Sequence, residues 1–432
     1  MSTETSSIII IGGGHAAAQL CASLAETGLG PRVQLVCAEA HLPYQRPPLS
    51  KAFLKNPAEA LQAHRADAWY DSAGITVHRN DAAVTIDRAA QQVQLQSGLR
   101  LDYGQLVLAT GTRARRLAGW PEELANVAVL RNAADALRLR PLLTEAKSLT
   151  VLGGGFIGLE VAATARALGA AVQVIEVAPR LLGRSVSAEL AAHVLATHQA
   201  AGMEVLLAAQ LGGIEHDGQR LQSLTVNGQR QPVELLLLGI GAEPELGLAL
   251  AAGLACGNGV IVDAAMRSSD PLILAIGDLA NFPVDPRWAP GGQRLRLESV
   301  QNANDQARCA ALTLQGQAPA YAALPWFWSE QGAMRLQMAG LLPAVGTPGT
   351  PGTPGTPGTP GTPGTPEIRQ YRRPGANPGS FSILHYLGDQ LLCVESANAP
   401  MDHVMSRKLM EAGKHPAPEV FSDPAVALKT LL

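Results

Sequence analysis

Several features that would classify a protein quickly are scarce or missing in this chain of 432 residues. Aromatic residues make up 4% of it, and charges of the two signs nearly balance at a formal net charge of −3. No basic block and no zinc-ligand spacing occurs, which argues against a nucleic-acid partner and gives no metal site. Hydrophobic residues, at 47%, suffice for sizeable cores. The length suggests about three domains.

Long apolar runs are missing as well. No stretch approaches the roughly 20 apolar residues of a membrane helix, and the polar residues 1–7 do not form a signal peptide. No C-x-x-C pair occurs among the scattered cysteines, which are Cys21, Cys37, Cys256, Cys309 and Cys393. The cysteine pattern predicts buried thiols in a reducing cytoplasm and no redox dithiol close in sequence. The lack of long apolar runs predicts no membrane association.

What the chain does contain is a glycine-rich turn near its start. The apolar run Ile8–Ile11 predicts a buried parallel strand, and residues 12–17 then match G-x-G-x-x-A. Such glycines let backbone N–H groups approach a pyrophosphate at the start of the next helix, which should end near Gly28. A second strand, Val33–Cys37, precedes Glu39, whose carboxylate suits a ribose diol. This order indicates a dinucleotide site.

The same order recurs later in the chain. A predicted strand over residues 149–152 leads into residues 153–158, which fit G-x-G-x-x-G in full. A helix and a further strand over residues 172–175 then lead to Glu176. A carboxylate there favours NADH, since it would repel the 2′-phosphate of NADPH. Two such units predict two dinucleotides and electron or hydride transfer between them.

Several charged residues near these units carry two interpretations each. Arg46 and Lys51, in a proline-stiffened segment, are either cations beside the first dinucleotide or solvated loop residues. Arg180 and Arg184 are either phosphate contacts or solvated. Glu160, placed in the first turn of the second glycine-motif helix, is either stabilised by the helix dipole or faces the nucleotide cleft.

Strand ends and aromatic residues leave similar alternatives. A buried strand ending at residues 109–111 is followed either by a plain turn or by a close backbone approach to a ligand. Asp278, after another strand, is either a helix N-cap or a hydrogen-bond partner of a flavin ribityl chain. Ser299 predicts the N-cap of a helix over residues 299–313. The aromatic cluster at residues 325–328 is either core or the edge of a flavin site.

Seven Gly-Thr-Pro triplets occupy residues 346–366. A collagen helix would satisfy the pattern, but seven triplets without a trimerising element argue against it. The triplets offer no apolar side chains to bury, so we expect a mobile, semi-extended loop. Residues 336–341 and 381–386 on either side predict strands, and the repeat is therefore expected to lengthen a hairpin loop.

Taken in order, seven segments resemble the FAD-dependent ferredoxin and rubredoxin reductases. The resemblance is to the putidaredoxin-reductase-like members that serve bacterial haem monooxygenases and Rieske-type dioxygenases. It extends from about Ile8 to Leu409, apart from the repeat. The segments are GGGHAAAQ, PYQRPPLSK, LVLATG, LGGGFIGLEVAA, LAIGD, LESVQNANDQAR and PWFWSEQ.

The resemblance implies an α/β fold with two Rossmann-like dinucleotide-binding domains, for FAD and NAD, and a C-terminal α+β domain. The FAD domain would comprise residues 1–113 and 244–322, and the NAD domain residues 114–243. The C-terminal domain would cover residues 323–432. Relatives sometimes carry the ribose-binding acid one position before Glu39, where this chain has Ala38.

The resemblance also implies site residues, transferred position by position. Lys51 would lie beside the isoalloxazine and pair with Glu160, and these two are the candidate catalytic residues. The implied FAD contacts are Gly12, Gly14, Ala16, Glu39, Arg46, Lys51, Val84, Ala109, Thr110, Gly111, Arg131, Asp278, Val300 and Trp328. The implied NADH contacts are Gly153, Gly155, Ile157, Gly158, Glu160, Glu176, Arg184 and Gly241.

The implied activity is electron transfer from NADH through FAD to a [2Fe–2S] ferredoxin or a rubredoxin. The missing cysteine pair supports this, because disulfide reductases of the same fold need a dithiol. One alternative is an NADH oxidase or diaphorase that uses oxygen or a quinone. Another is an NADH-responsive protein resembling apoptosis-inducing factor. Monomer and homodimer both remain open, as does the identity of the oxygenase.

Overall fold

The computed structural model describes residues 7–121, 123–289, 292–342 and 368–432. In these ranges the strands are β1 (Ile8–Ile11), β2 (Val33–Cys37), β3 (Thr76–Arg79), β4 (Ala83–Asp87), β5 (Gln92–Leu95), β6 (Arg100–Asp102), β7 (Gln105–Leu108), β8 (Thr112–Ala114), β9 (Val127–Ala128), β10 (Ser148–Leu152), β11 (Ala171–Ile175), β12 (Glu204–Leu206), β13 (Leu211–His216), β14 (Leu221–Val226), β15 (Gln229–Pro232), β16 (Leu236–Leu238), β17 (Ala242–Pro244), β18 (Cys256–Gly257), β19 (Gly259–Ile261), β20 (Ile273–Ala275), β21 (Ala280–Pro283), β22 (Arg294–Leu295), β23 (Trp326–Gln331), β24 (Met334–Gly340), β25 (Ile368–Pro374), β26 (Phe381–Leu387) and β27 (Gln390–Ala397).

The α-helices of the described residues alternate with these strands over much of the chain. They are α1 (His15–Glu26), α2 (Ala52–Lys55), α3 (Asp67–Ser72), α4 (Ala133–Glu145), α5 (Phe156–Ala167), α6 (Ala188–Ala200), α7 (Gly247–Ala251), α8 (Val300–Leu314), α9 (Pro400–Glu411) and α10 (Pro418–Ser422). Short 3₁₀ turns cover Gly30–Arg32, Pro47–Ser50, Gly277–Leu279 and Leu428–Leu431.

The chain divides into two compact units, each built from separate segments. Unit 1 comprises residues 1–46, 61–113 and 243–323. Unit 2 comprises residues 47–60, 114–242 and 324–432. The four domain ranges given above from sequence resemblance stay a prediction.

Unit 1 is organised by a parallel sheet in the order β20-β7-β1-β2-β3. Its central strand, β1, pairs with β2 on one side and β7 on the other, and all four of its isoleucines, which point alternately to the two faces of the sheet, are buried. A strand covered on both faces explains the uninterrupted apolar run. Helix α1 follows β1 and ends at Glu26, and Gly28 occupies the predicted C′ position with φ +75°. Ser299 caps α8, as predicted, by accepting a hydrogen bond from the Asn302 amide.

Unit 2 contains a second parallel sheet, in the order β12-β11-β10-β16-β9. It also contains an antiparallel sheet, β23-β24-β27-β26-β25, formed by the C-terminal segment. One apolar cluster joins the two regions, with Val151 and Leu159 from the first and Met334, Leu336 and Phe381 from the second. The predicted α/β class, with two parallel sheets and a C-terminal α+β region, is confirmed.

The strands on either side of the Gly-Thr-Pro repeat pair differently from the sequence prediction. The two segments predicted to form the hairpin, residues 336–341 and 381–386, fall on β24 and β26, and β27 lies between these strands in the sheet. The expectation of a lengthened hairpin is therefore wrong, since a hairpin joins adjacent strands. The Gly-Thr-Pro repeat itself, expected to form a mobile loop, lies outside the described residues.

Candidate functional site

The first glycine-rich turn forms a cradle at the start of α1. Gly12 has φ +130°, and a Cβ placed there would lie 2.2 Å from the Ala109 carbonyl oxygen, so a side chain is excluded. At Gly14, by contrast, no heavy atom lies within 4 Å of the Cβ position. Gly14 is also the N-cap of α1 and gives it no side-chain hydrogen bond. The turn therefore presents helix N–H groups to an open space.

The second glycine-rich turn is built in the same way at the start of α5. Gly153 has φ +105°, and a Cβ there would lie 2.4 Å from the Gly239 carbonyl oxygen. At Gly158 a Cβ would lie 2.7 Å from the Gly153 carbonyl oxygen, which explains the third glycine of the motif. Gly155 caps α5 and has only the Gly239 oxygen, at 3.8 Å, near its Cβ position. A side chain at Gly14 or Gly155 would fill the cradle.

Both cradles fit the pyrophosphate of a dinucleotide. Anions bind at helix N-termini because the first N–H groups lack intrahelical acceptors and the helix dipole is positive there. Each cradle lies at the carboxyl end of the central strand of a parallel sheet, where ligands of such folds bind. The structure thus provides one cradle in unit 1 and one in unit 2.

Ala16, predicted to contact the FAD, lies behind the first cradle. A Cβ at Gly277 would lie 3.1 Å from the Ala16 Cβ, so the two residues pack closely. Ala17, which takes the last position of the G-x-G-x-x-A motif, is fully buried. The small residues here hold α1 against the turn that carries Asp278.

Glu39 and Arg46, both predicted to contact FAD, are brought together in unit 1. Arg46 Nη2 donates to Glu39 Oε1 at 2.9 Å, and the Tyr44 hydroxyl donates to Glu39 Oε2 at 2.7 Å. Both charged side chains are about one-quarter exposed or less. Glu39 follows β2 by two residues, at the end of the sheet where the cradle lies. Its carboxylate is therefore oriented by its neighbours.

The predicted contacts after β7 lie in the short segment before β8, and Asp278 lies in a turn after β20. Thr110 Oγ1 donates to the Glu245 carbonyl oxygen, and the Gly111 carbonyl accepts from the Glu245 amide. Asp278 is the middle residue of the 3₁₀ turn Gly277–Leu279, which follows β20. The N-cap positions of this turn and of the next α-helix, α8, are Ile276 and Ser299, so the N-cap interpretation of Asp278 is wrong. Val300 is the first residue of α8.

In unit 2, Glu176 binds the backbone of the second cradle. Its Oε2 accepts from the Gly154 amide at 2.6 Å, and its Oε1 accepts from the Ala178 amide at 2.7 Å. Each oxygen keeps a second lone pair, so the carboxylate can still accept from a ribose diol. Arg184 lies near Gly241, with 3.9 Å between its Nη2 and a Cβ placed on the glycine. Arg180 is partly buried and donates to the Gly183 carbonyl, so it is not a fully solvated loop residue.

Lys51 and Glu160, the candidate catalytic residues, form an ion pair in unit 2. Lys51 Nζ lies 2.6 Å from Glu160 Oε2, and it also donates to the Pro47 carbonyl at 3.1 Å. The Glu160 side chain is 5% exposed and that of Lys51 22%, so the carboxylate is a buried charge. A buried charge is stable only when it is paired and hydrogen-bonded. Glu160 is the fifth residue of α5, beyond the first turn, which corrects its predicted position.

Two serines that the sequence did not indicate complete the surroundings of Glu160. Ser50 Oγ donates to Oε2 at 2.5 Å, and Ser329 Oγ donates to Oε1 at 2.7 Å. Ser50 directly precedes Lys51, and this position next to a candidate catalytic residue is the signal that could have identified it. Ser329 is separated from Glu160 by 169 positions, and no local spacing connects them.

The remaining predicted contacts lie elsewhere in their units. Val84 is on β4, in a separate antiparallel sheet of unit 1, and is 47% exposed. In unit 2, Ile157 is an exposed residue in the first turn of α5. Arg131 directly precedes Asn132, the N-cap of α4. Trp328 lies half-buried on β23, with its ring 5.6 Å from that of Trp326. Their roles toward a cofactor stay predictions.

The five cysteines all lie in the described part of the chain, and none forms a disulfide there. Burial raises the pKa of Cys37 to about 12 and that of Cys309 to about 11. Burial also raises the pKa of Cys21, Cys256 and Cys393. Thiolates, which are the reactive form, are therefore scarce at neutral pH.

Among the residues that the structure describes, none of the helices combines the length and the apolar character that a membrane-spanning helix needs. The same residues contain no group of three His, Cys, Asp or Glu side chains placed to hold a metal ion.

Two known families match this sequence, one over most of its length and one at its C-terminal end. Residues 6–307 match the family described as pyridine nucleotide-disulphide oxidoreductase. Residues 364–432 match the family described as reductase C-terminal.

Individual relatives cover almost the whole chain. Rhodocoxin reductase of Rhodococcus erythropolis is 38% identical over 98% of this chain and 93% of its own length. The ferredoxin–NAD(+) reductase component of the anthranilate 1,2-dioxygenase system of Burkholderia cepacia is 36% identical over 98% of each chain. The solved structure of the ferredoxin reductase for the CYP199A2 system from Rhodopseudomonas palustris is 37% identical, covers 99% of each chain and has a TM-score of 0.88.

Proposed function

The chain belongs to the pyridine nucleotide-disulphide oxidoreductase family, and we propose that it is an FAD-dependent NADH:ferredoxin reductase. It would pass electrons from NADH to a [2Fe–2S] ferredoxin or a rubredoxin that feeds an oxygenase. The names of the relatives support this, since they describe reductases of ferredoxin-type proteins. A cytoplasmic location stays a prediction of the cysteine pattern.

The observation that carries the proposal is the pair of matched cradles. Gly12 and Gly153 each pack against the carbonyl that follows a neighbouring strand, and Gly14 and Gly155 each leave open space before a helix N-terminus. A protein with two pyrophosphate sites is equipped to hold two dinucleotides. The acid after each second strand, Glu39 or Glu176, would accept hydrogen bonds from a ribose.

Cofactor chemistry then follows from the fold family. When bound, FAD joins a two-electron donor to a one-electron acceptor, because it takes up a hydride and releases single electrons. The protein's own part is to bind, to orient and to supply charge. The cradle of unit 1, with Glu39 and Arg46, would hold FAD, and the cradle of unit 2, with Glu176, would hold NADH.

The family resemblance implies that Lys51 lies beside the isoalloxazine, where its positive charge would favour an added negative charge on the flavin. Glu160 keeps the ammonium in place, because its buried Oε2 accepts from Lys51 Nζ at 2.6 Å. Ser50 and Ser329 hold the carboxylate from two sides. A buried pair with these partners has little freedom to reorient, so the charge is preorganised.

The thiols, which are unpaired and have raised pKa values, distinguish this chain from disulfide reductases of the same family. A disulfide reductase passes electrons through a reactive dithiol, whereas the five cysteines here are unpaired and have raised pKa values. Electrons would therefore leave the flavin directly for the protein acceptor.

The test is a steady-state assay of the purified, FAD-loaded chain with NADH and a [2Fe–2S] ferredoxin, in which cytochrome c reports ferredoxin reduction. The proposal predicts cytochrome c reduction that depends on ferredoxin concentration and saturates. A disulfide substrate serves as the control acceptor and should not be reduced. Rapid NADH oxidation by oxygen that ferredoxin and rubredoxin leave unchanged would contradict the proposal and indicate an oxidase.

A further inference from the structure

A chain of buried polar side chains leads away from the Lys51–Glu160 pair inside unit 2. Ser329 Oγ donates to Glu160 Oε1 at 2.7 Å, Gln331 Nε2 donates to Ser329 Oγ at 3.3 Å, and His198 Nε2 lies 2.8 Å from Gln331 Oε1. His198 is 2% exposed, Gln331 3%, Ser329 0% and Glu160 4%. Four buried polar residues in a row are costly unless each is satisfied, so their arrangement calls for a reason.

The two oxygens of Glu160 are used for different purposes. Oε2 accepts from Lys51 and Ser50, whereas Oε1 accepts from Ser329 and, at 3.4 Å, from the Glu330 amide. The chain therefore binds the oxygen that does not face the lysine. Holding Oε1 fixes the rotation of the carboxylate, and so keeps Oε2 directed at Lys51.

The charge of Glu160 also gives the chain a direction. A carboxylate only accepts hydrogen bonds, so the Ser329 hydroxyl must point its proton at Glu160. Ser329 then accepts from the NH₂ group of Gln331, which turns the Gln331 oxygen toward His198. His198 must therefore carry its proton on Nε2. The opposite direction would aim a Ser329 lone pair at the carboxylate.

The ionisation of His198 agrees with this direction. Burial lowers the pKa of His198, and the bond to Gln331 offsets this only in part, so the ring is neutral at neutral pH. A neutral imidazole has one N–H, which makes its tautomer an informative observable.

We propose that His198, Gln331 and Ser329 are positioning residues that form a directional hydrogen-bond chain, which orients Glu160 toward Lys51. The tautomer of His198 then reports the charge of Glu160 from the far end of the chain. The catalytic consequence rests on the proposed function of the Lys51–Glu160 pair, whereas the tautomer does not.

The first test is ¹⁵N NMR of the full-length, FAD-loaded protein labelled with ¹⁵N-histidine. His198→Gln identifies the His198 signals by their loss. The proposal predicts that His198 Nε2 is protonated in the unmodified protein. In Glu160→Gln the new amide group can itself donate to Ser329, so the hydrogen bonds of the chain can reverse and the Nδ1-protonated form of His198 should appear. Protonation at Nδ1 in the unmodified protein, or an unchanged tautomer in Glu160→Gln, would overturn the proposal.

The second test is the limiting rate of flavin reduction by NADH in Ser329→Ala. The expected loss is about tenfold with little change in the dissociation constant for NADH, since the carboxylate loses its orientation while the glycine cradle of α5 and Glu176 are unaltered. The matched control is Ser396→Ala, a serine equally buried in the same sheet whose hydroxyl bonds to Ser382. Equal rates in the two variants would contradict a positioning role.

Substitutions of His198, at the end of the hydrogen-bond chain away from Glu160, test whether a donor in this position is sufficient to keep the rate. His198→Gln keeps a donor toward Gln331 and should retain the rate of Ser396→Ala, whereas His198→Leu should lose rate as Ser329→Ala does. If Lys51→Met fails to slow reduction while the tautomer results hold, the proposed role of the lysine is wrong and the directional chain stands. If the tautomer results fail, the chain is wrong whatever the role of Lys51.

Discussion

At the residue scale, Lys51 and Glu160 show how a charge is kept inside a folded chain. The Glu160 carboxylate is almost fully buried and has three side-chain donors, Lys51, Ser50 and Ser329. Removing one partner of a buried ion pair leaves a charge without compensation, which costs more than the pair itself contributes. Substitutions here therefore report on both stability and charge.

Replacing Lys51 with Met should slow flavin reduction by NADH about 100-fold, the scale of losing one electrostatic stabiliser of developing charge. FAD should remain bound, because the cradle at Gly12 and Gly14 is untouched. The free energy of unfolding should fall by about 1–3 kcal/mol as Glu160 loses a donor. Stopped-flow absorbance and denaturant titration measure the two effects. The control is Lys55→Met, an exposed lysine at the end of α2. Unchanged reduction kinetics in Lys51→Met would remove its proposed role.

The glycines of the first cradle should separate folding from cofactor binding. Gly14→Ala places a Cβ in open space, so stability should change by less than about 1 kcal/mol while FAD is lost. Gly12→Ala forces a strained φ and overlaps the Ala109 carbonyl, so the fold itself should lose about 1–3 kcal/mol or more. Flavin content after gel filtration and thermal unfolding measure both. Full FAD retention in Gly14→Ala would contradict the cradle assignment.

At the element scale, each strand-turn-helix unit joins its glycine turn to the acid after the following strand. In unit 2 this link is direct, since Glu176 accepts from the Gly154 amide. One carboxylate thus both supports the turn and faces the position expected for a ribose. Glu176→Gln keeps the size of the side chain and removes its charge, but only the amide oxygen can still accept, so one of the two backbone hydrogen bonds is lost as well. The control must therefore be a glutamate that loses a backbone hydrogen bond in the same way.

Glu176→Gln should narrow the preference for NADH over NADPH by about tenfold, because the repulsion of a 2′-phosphate is lost. Steady-state kcat/KM for the two nucleotides measures this ratio. Glu234→Gln is the matched control, since Glu234 also accepts from two backbone amides, those of Lys147 and Ser148, at the other end of this sheet. A ratio that stays the same in Glu176→Gln would mean that Glu176 does not read the ribose.

Much of the element order could be predicted from sequence. Strand β1, helix α1 and the cap at Ser299 follow from an apolar run, a glycine motif and a capping residue, which are local signals. The order of the C-terminal strands could not be predicted, because β24 and β25 are separated in the sheet by strands that come later in the chain. Likewise, Ser329 and Glu160 meet only through tertiary packing, which no local pattern encodes.

At the scale of the whole molecule, the cysteines bear on the route of the electrons. The pKa of each thiol is raised, so the thiolate fraction is small at neutral pH and grows only as the pH approaches those raised values. Of the five cysteines, all of which the structure describes, Cys256 is partly exposed and the other four are buried.

Alkylation of the native protein with iodoacetamide at pH 7 should therefore modify Cys256 first and slowly, and it should leave ferredoxin reduction unchanged. Mass spectrometry of peptides identifies the modified thiol, and the ferredoxin assay follows activity in the same samples. Activity that falls in step with the modification of any cysteine would point to a thiol in the electron path.

The central claim is that electrons pass from NADH to bound flavin and then to an iron–sulfur protein. Anaerobic two-step mixing tests it most directly: NADH is added to the FAD-loaded protein, flavin bleaching is followed, and oxidised [2Fe–2S] ferredoxin is then added. The account predicts fast bleaching and then fast ferredoxin reduction. Fast bleaching without transfer to ferredoxin or rubredoxin, but with rapid reoxidation by air, would contradict it, as would slow bleaching with a long-lived charge-transfer band.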